Sequence, residues 1–298
     1  MYPETVSIIL LCLVNSIYYG YVQVGTMMPS EDRTNPENHE YIDRQKQSIH
    51  EFDMNTDPPD ESPFWYPDEG DLTDTAWRYM DLAKFISILQ TGSLWFSHHS
   101  NFEDPYDGRY SEITAEEIRS DYDELGLDIS DTADGDRTFG TENYVSCWNI
   151  KEEQSVALWK MYFEGDVGVA IKTTKEDLIS SVPPELGLAH KFSLVSGEVV
   201  YRKVDDEPRG YYGPIFSKRP IFDFENEFRM VYSTFNSQLS NNGISVPVNV
   251  ESLIDEVYVH PMSGSYVKGI VEDLGDKYDF DFDVKKSSLF THPHDEDE

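Results

Sequence analysis

The chain has 298 residues, of which 13% are aromatic, enough for one large domain with an appendage and a substantial buried core. Its formal net charge is −34 at pH 7 with only 23 Lys and Arg, so the clustered cations on which tight nucleic-acid binding draws are scarce. Two cysteines, Cys12 and Cys147, exclude a disulfide framework and a cysteine-rich zinc site, and a reducing cytoplasm fits them.

The acidity is spread along the chain: residues 30–76 carry 14 acids against 3 bases, and residues 77–289 carry 38 against 20. A chain-wide excess predicts a surface kept hydrated in strong salt, as in halophilic proteins. Residues 1–28 form an apolar N-terminal segment. Its Val6 to Val24 run approaches a membrane span in length, but the first basic residue is Arg33. A membrane segment and a misassigned start at Met27 or Met28 remain alternatives, and a membrane is a partner only in the first case. Residues 29–76 read as an acidic, largely disordered arm, rich in Asp, Glu, Asn and Pro. Residues 77–291 read as a single α+β domain, and 292–298 as an acidic tail.

Order is expected from Trp77. Trp77 to Met80 reads as a strand, Asp81 as the cap of a helix with Leu82, Phe85, Ile86 and Leu89 on its apolar face, Gly92 as its stop, and Leu94 to Ser97 as the next strand. Adjacent His98 and His99 lack a third ligand nearby, which favours a surface or loop role over a metal site. Asn101 to Gly108 is a turn by composition, 112–124 a helix and 125–140 an acidic loop. Tyr144 to Trp148 reads as a strand, with Cys147 a packing thiol because no basic neighbour lowers its pKa. A helix over 152–163, a strand at 167–171, a helix over 174–182 and a strand from Ser196 to Tyr201 precede the aromatic loop Tyr211-Tyr212-Gly213-Pro214. Strands at 244–250 and 254–259, a helix over 265–274 and Phe280 to Val284 close the domain. The whole predicts a mixed, largely antiparallel sheet with flanking helices.

The most informative stretch is Lys218 to Tyr232. Read as one strand, its period of two puts Phe222, Phe224, Phe228 and Met230 on a core face and Glu225, Glu227 and Arg229 on the other. Paired carboxylates at that spacing perturb each other's titration and suit acid/base work. The plainer alternative is a solvated charged face in which Arg229 neutralises a glutamate; a helix is the other option, since Phe224 and Phe228, and Glu225 and Arg229, are spaced i,i+4.

In order and spacing, Trp77-Arg78-Tyr79-Met80-Asp81, Leu94-Trp95-Phe96-Ser97, Asp104-Pro105, Ser146-Cys147-Trp148, Leu158-Trp159, Lys218-Arg219, Phe222-x-x-Glu225-x-Glu227-x-Arg229 and Val257-Tyr258-Val259 with Pro261 resemble the prokaryotic family called "domain of unknown function 2971". More distantly, Arg78 on an early strand, Ser146 on a middle one and Glu225-x-Glu227 on a late one resemble the arginine, serine, glutamate pattern of ADP-ribosyltransferases, which implies a split sheet and NAD as a substrate, without a metal. By that resemblance Arg78 holds the pyrophosphate, Ser146 orients the nicotinamide ribose, Glu227 stabilises the transition state and Glu225 positions or deprotonates the acceptor. Lys218 and Arg229 neutralise phosphate or keep the carboxylates ionised. Of the family's Ser-Thr-Ser only Ser146 survives, between Val145 and Cys147. This reading predicts a cleft where Arg78, Ser146 and Glu227 converge, walled by Trp95, Trp148 or Tyr212. The competing reading is a noncatalytic ligand-binding or regulatory domain with Arg78, Glu225 and Glu227 in a structural ion network.

Overall fold

Strand β1 (Thr75–Asp81) ends on the residue that starts the next element. The Asp81 carboxylate accepts the Lys84 backbone N–H at 2.8 Å and caps α1 (Leu82–Thr91), which buries Phe85, Ile88 and Leu89. Gly92 ends the helix at φ 59°, a left-handed conformation that glycine adopts without cost, and β2 (Ser93–His98) follows at once. β1 and β2 therefore run in the same direction, joined across one helix.

The structure is a computed structural model that describes residues 67–113, 115–116, 120, 142–162, 167–183, 193–203, 212–234 and 242–290. The apolar segment 1–28, most of the acidic arm, the loop over 125–140, Tyr211 and the tail from 292 lie outside the described residues. Beyond β2 come β3 (Glu142–Ile150), α2 (Val156–Met161), β4 (Gly168–Thr174), α3 (Lys175–Ser180), β5 (Ser193–Glu198), β6 (Val200–Tyr201) and β7 (Ser217–Lys218). These are followed by β8 (Glu227–Thr234), β9 (Gly243–Pro247), α4 (Val250–Leu253), β10 (Glu256–Val259), α5 (Tyr266–Tyr278) and β11 (Asp283–Lys286). Among the described residues, no helix is long and apolar enough to cross a membrane.

One sheet runs in the order β11-β10-β4-β1-β3-β2-β9, with β8 along the other edge of β3 and β5 beyond it. Its pairings are antiparallel except for β10 with β11, so the fold is α+β with a largely antiparallel sheet. The register around β3 decides the rest. β1 meets its last residues, Ala76 opposite Ile150 and Trp77 opposite Asn149, whereas β2 meets its first, Ser97 opposite Val145 and His98 opposite Tyr144. Between them Ser146, Cys147 and Trp148 have no strand partner on that edge, and the sheet splits.

The main core lies on one face, where Phe85, Leu89, Leu94, Phe96, Trp148, Phe228, Met230 and Val257 meet Leu253, Val267 and Val271 from the helices. The opposite face carries two smaller clusters. Trp77, Tyr79, Leu158, Trp159 and Ala170 pack under α2, and Val145, Ile215, Phe216, Tyr212 and Val231 pack beside β8.

Several expectations give way. Lys218 to Tyr232 is not one strand: Pro220–Glu225 is a 3-10 helix, Asn226 turns the chain at φ 41°, and β8 begins only at Glu227. Proline has no N–H for a ladder and supplies the φ that a helical turn needs. Phe224 is therefore exposed and Phe222 half-buried, not in the core. Nor are Glu225, Glu227 and Arg229 a solvated face, because all three are buried. His98 and His99 are buried too: the His98 Nε2 lies 2.6 Å from Glu142 Oε2, and the His99 Nδ1 lies 3.2 Å from the Asn143 carbonyl. Polar partners on both rings make that burial tolerable. Among the described residues no cluster of His, Cys, Asp or Glu suits a metal ion.

Order also begins ahead of Trp77. The Lys175 side chain is wholly buried, and its ammonium is met by Asp74 at 2.8 Å, Glu198 at 2.5 Å and the Glu69 carbonyl at 3.0 Å. A buried ammonium requires such partners, and they hold 69–74 against the sheet. Smaller shifts are local: α2 starts at Val156 behind its Ser155 cap, and the predicted strand from Ser196 is broken between β5 and β6.

Candidate functional site

A hollow of about 980 Å³ opens where the sheet splits, between the two smaller clusters. Arg78 spans the split. Its Nη1 donates to Ser146 Oγ at 2.8 Å, its Nη2 donates to the Trp95 carbonyl at 3.0 Å, and its guanidinium lies 5.5 Å from the centre of the Trp148 ring. Among the described residues it forms no ion pair, although burial makes its positive charge harder to keep. Bracing by a bond from Arg78 to Glu225 or Glu227 is therefore not what the molecule does. Ser146 is fully buried behind the guanidinium and accepts from both Arg78 and the Trp148 indole N–H, so it orients the arginine and does not face the hollow.

The other wall is acidic. Asn226, left-handed between the 3-10 helix and β8, bends the chain so that Glu225 and Glu227 approach one another in spite of their strand-like spacing. Lys218 on β7 bridges them, 2.5 Å from Glu225 Oε2 and 2.7 Å from Glu227 Oε1. Arg229, with no exposed surface, binds Glu227 Oε2 at 2.7 Å, both Asp107 oxygens at 2.7 and 2.8 Å, and the Ile215 carbonyl at 2.6 Å. It lines the hollow, but its donors are engaged within the network. Lys218 also lies 3.6 Å from Asp107.

Two cations thus hold three carboxylates, and a single proton makes the group neutral. Burial, and next the adjacent Glu227, push the Glu225 carboxyl up to about 7. Burial opposes ionisation of Glu227 as well, but Arg229, Glu225 and Lys218 hold it well below the usual carboxylate range. Neighbouring acids driven apart in this way are equipped for different roles at one pH. Burial raises the Cys147 thiol to about 12, with Glu227 adding to the effect, so it is no nucleophile.

Asp107 was not singled out from the sequence, where it sits in a stretch read only as a turn. It is buried, and its neighbour Asp104 chelates Arg219 at 3.0 and 2.8 Å, so the turn is fastened twice over the acidic wall. Of the aromatic walls expected, Trp95 and Trp148 line the hollow, joined by Tyr162 and Phe222, while Tyr212 packs in the cluster beside β8.

No protein-family model matches the chain, so the resemblance to the family of unknown function stays an expectation of the sequence. No curated protein matches it. Among solved structures, DarT of Thermus sp. 2.9 in complex with NAD+ is similar at 10% identity and a TM-score of 0.31, with 75% of this chain and 98% of that chain covered. The complex of the same protein with ADP-ribosylated ssDNA gives 10% identity, a TM-score of 0.31 and the same coverage. Its complex with carba-NAD+ gives 9% and 0.30 over 72% of this chain and 96% of that one. At such TM-scores the likeness carries no weight for function.

Proposed function

We propose that the chain is an ADP-ribosyltransferase-like enzyme that cleaves NAD at the nicotinamide ribose bond. The observation that carries this reading is the pairing, across one hollow, of an arginine that forms no ion pair among the described residues and two adjacent buried glutamates bridged by Lys218. The remaining N–H donors of Arg78 suit a pyrophosphate, which a planar guanidinium binds in bidentate fashion. Glu227, kept ionised, faces the ribose. As the glycosidic C–N bond breaks, nicotinamide leaves with the bonding electrons, and the carboxylate stabilises the positive charge that develops at the ribose carbon. The acceptor then adds to that carbon and its proton passes to Glu225, whose pKa near neutrality suits a general base. Lys218 and Arg229 fix the pair and keep Glu227 charged.

A noncatalytic ligand-binding or regulatory domain is the second reading. It is favoured by the engagement of both Glu227 oxygens, one with Lys218 and one with Arg229. The two part on a single assay: release of nicotinamide from labelled NAD at high salt by the wild type, Glu227→Gln and Arg78→Ala. The enzymatic reading expects release to fall by about 10²–10³-fold in Glu227→Gln, the usual loss of a charge-stabilising group, and a rise in KM of about tenfold or more in Arg78→Ala. Equal release from all three, or none from the wild type, favours the second reading.

A further inference from the structure

The main chain of Glu225 and Glu227 is held by side chains outside the Lys218 network. Asn149, next to last in β3, stands opposite Glu227 in the β3–β8 register and lines the hollow beside it. From there its side-chain amide donates an N–H to the Glu225 backbone carbonyl. The other end of the amide, Oδ1, is buried and has no partner among the described residues. An unpaired buried acceptor is unfavourable, so what the amide contributes at this position is its donor. Glu227 is gripped separately: the Tyr201 phenol oxygen accepts its backbone N–H at 2.8 Å, and the Val199 N–H donates to its carbonyl at 2.8 Å. Tyr201 pairs with Lys218 across β6 and β7, so one strand pair carries both the ammonium that bridges the carboxylates and the group that fixes Glu227. Burial, and next the charge of Glu227, hold the phenol above its ordinary pKa, so it stays protonated and is no base itself.

We propose that Asn149 and Tyr201 are positioning residues for the carboxylate pair: Asn149 fixes Glu225 by its carbonyl, Tyr201 fixes Glu227 by its N–H, and together they set the separation at which both acids meet Lys218. The inference rests on the NAD reading for the reaction it serves, although the positioning is also legible without turnover. Lys218 alone cannot fix that separation, because an ammonium on a flexible stem follows whichever carboxylate moves. Anchors on the main chain can, since each holds a glutamate at its root and leaves only side-chain torsions free. The two anchors come from different strands, β3 and β6, so the spacing of the pair belongs to the fold and not to the segment Glu225-Asn226-Glu227 alone. Loss of either bond separates the carboxylates, and Glu225 then returns toward the ordinary glutamate range, since burial and the adjacent Glu227 are what raise it.

The test compares the wild type with Asn149→Leu, Tyr201→Phe and Val271→Ala. Leucine and phenylalanine keep the bulk and remove one hydrogen bond each, whereas Val271 lies in the main core and lines no part of the hollow. Asn149→Ala takes the place of the leucine protein if that one does not fold. Nicotinamide release is followed against NAD concentration and pH, and the denaturation midpoint is measured at pH 5.5 and 8. Expected in both site variants are a kcat lower by about tenfold or more with KM within about threefold, a rising limb of the pH–rate profile at lower pH, and a fall in midpoint from pH 5.5 to 8 of about half the wild type's or less. Val271→Ala is expected to lower the midpoint equally at both pH values and to leave kcat and the limb in place. A kcat within about twofold of the wild type in either site variant, a limb that does not move, or the same losses in Val271→Ala, overturns the proposal. If the wild type releases no nicotinamide, the midpoints decide: a reduced fall in both site variants keeps the positioning while the transferase reading fails, and an undiminished fall removes both.

Discussion

The Glu225 and Glu227 carboxylates, two residues apart in sequence, respond to pH in opposite senses. Glu227 is held below its unfolded pKa, so its contribution to stability is present above the ordinary glutamate range and is lost as the pH falls through its folded value. Glu225 is raised to about 7, so its contribution is complete below the ordinary range and is lost as the pH rises through about 7. Glu225→Gln is neutral at every pH. It is expected to abolish the decline in stability between pH 5.5 and 8, on the order of 1–2 kcal/mol after discounting for solvent at the hollow. Chemical denaturation at the two pH values measures it, and a variant whose stability declines as much as the wild type's would show that the proton sits elsewhere. Asp107 is the third acid of the group, and Lys218, Arg229, Glu227 and Tyr162 are the other charged or titratable groups near Glu225. Asp107→Asn removes one negative charge, so the proton on Glu225 is no longer needed for neutrality. If Glu225 is the base, the rising limb of the pH–rate profile moves to lower pH in that variant; an unmoved limb separates Asp107 from the titration.

At the scale of elements, the join between the 3-10 helix and β8 does most to make the pair. Asn226 sits at φ 41° and ψ 61°, its side chain donates to the Ile150 carbonyl, and its own carbonyl receives the Ile150 N–H at 2.8 Å. Asparagine tolerates this region and a β-branched residue does not. Asn226→Gly is expected to lose mainly the side-chain bond, about 1 kcal/mol. Asn226→Val adds backbone strain of about 1–2 kcal/mol and draws Glu225 away from Lys218, lowering activity beyond its effect on stability. Thermal melts and rates on the same samples check this; equal rates in the two variants would mean the bend is not needed. The same join explains what the sequence disclosed. β1, α1 and β2 were legible because Asp81 and Gly92 act on adjacent residues. Lys218 to Tyr232 was misread because alternation of apolar and charged residues cannot reveal one left-handed asparagine, and burial of three charges depends on Lys218 and on Asp107 from a distant turn. Arg78 and the glutamates were nameable as residue types, but the split that separates them is a matter of where β1 and β2 meet β3, a tertiary register with no local signature.

For the molecule as a whole, few cations serve many acids. Lys175, Lys218 and Arg229 each hold two or more carboxylates at buried or nearly buried positions, and with 57 acids against 23 Lys and Arg the exterior is left strongly acidic. Repulsion across that surface opposes the compact state and is screened as the Debye length shortens from about 10 Å at 0.1 M salt to about 3 Å at 1 M. The buried network is screened much less by mobile ions. The two electrostatic systems therefore separate on a salt axis. The wild-type Tm is expected to rise steeply with KCl up to about 1 M and to flatten beyond it. Arg229→Met leaves Asp107 and Glu227 without their main partner and costs about 3–5 kcal/mol; since salt cannot replace a buried guanidinium, its curve runs parallel to the wild type's at lower temperature. Neutralising an exposed acid such as Asp273, by Asp273→Asn, raises Tm at low salt, and the gain vanishes at high salt. A wild-type Tm that falls with KCl, or an Arg229→Met curve that converges on it, would mean that mobile ions reach the acidic wall and that the hollow is wetter than its packing implies.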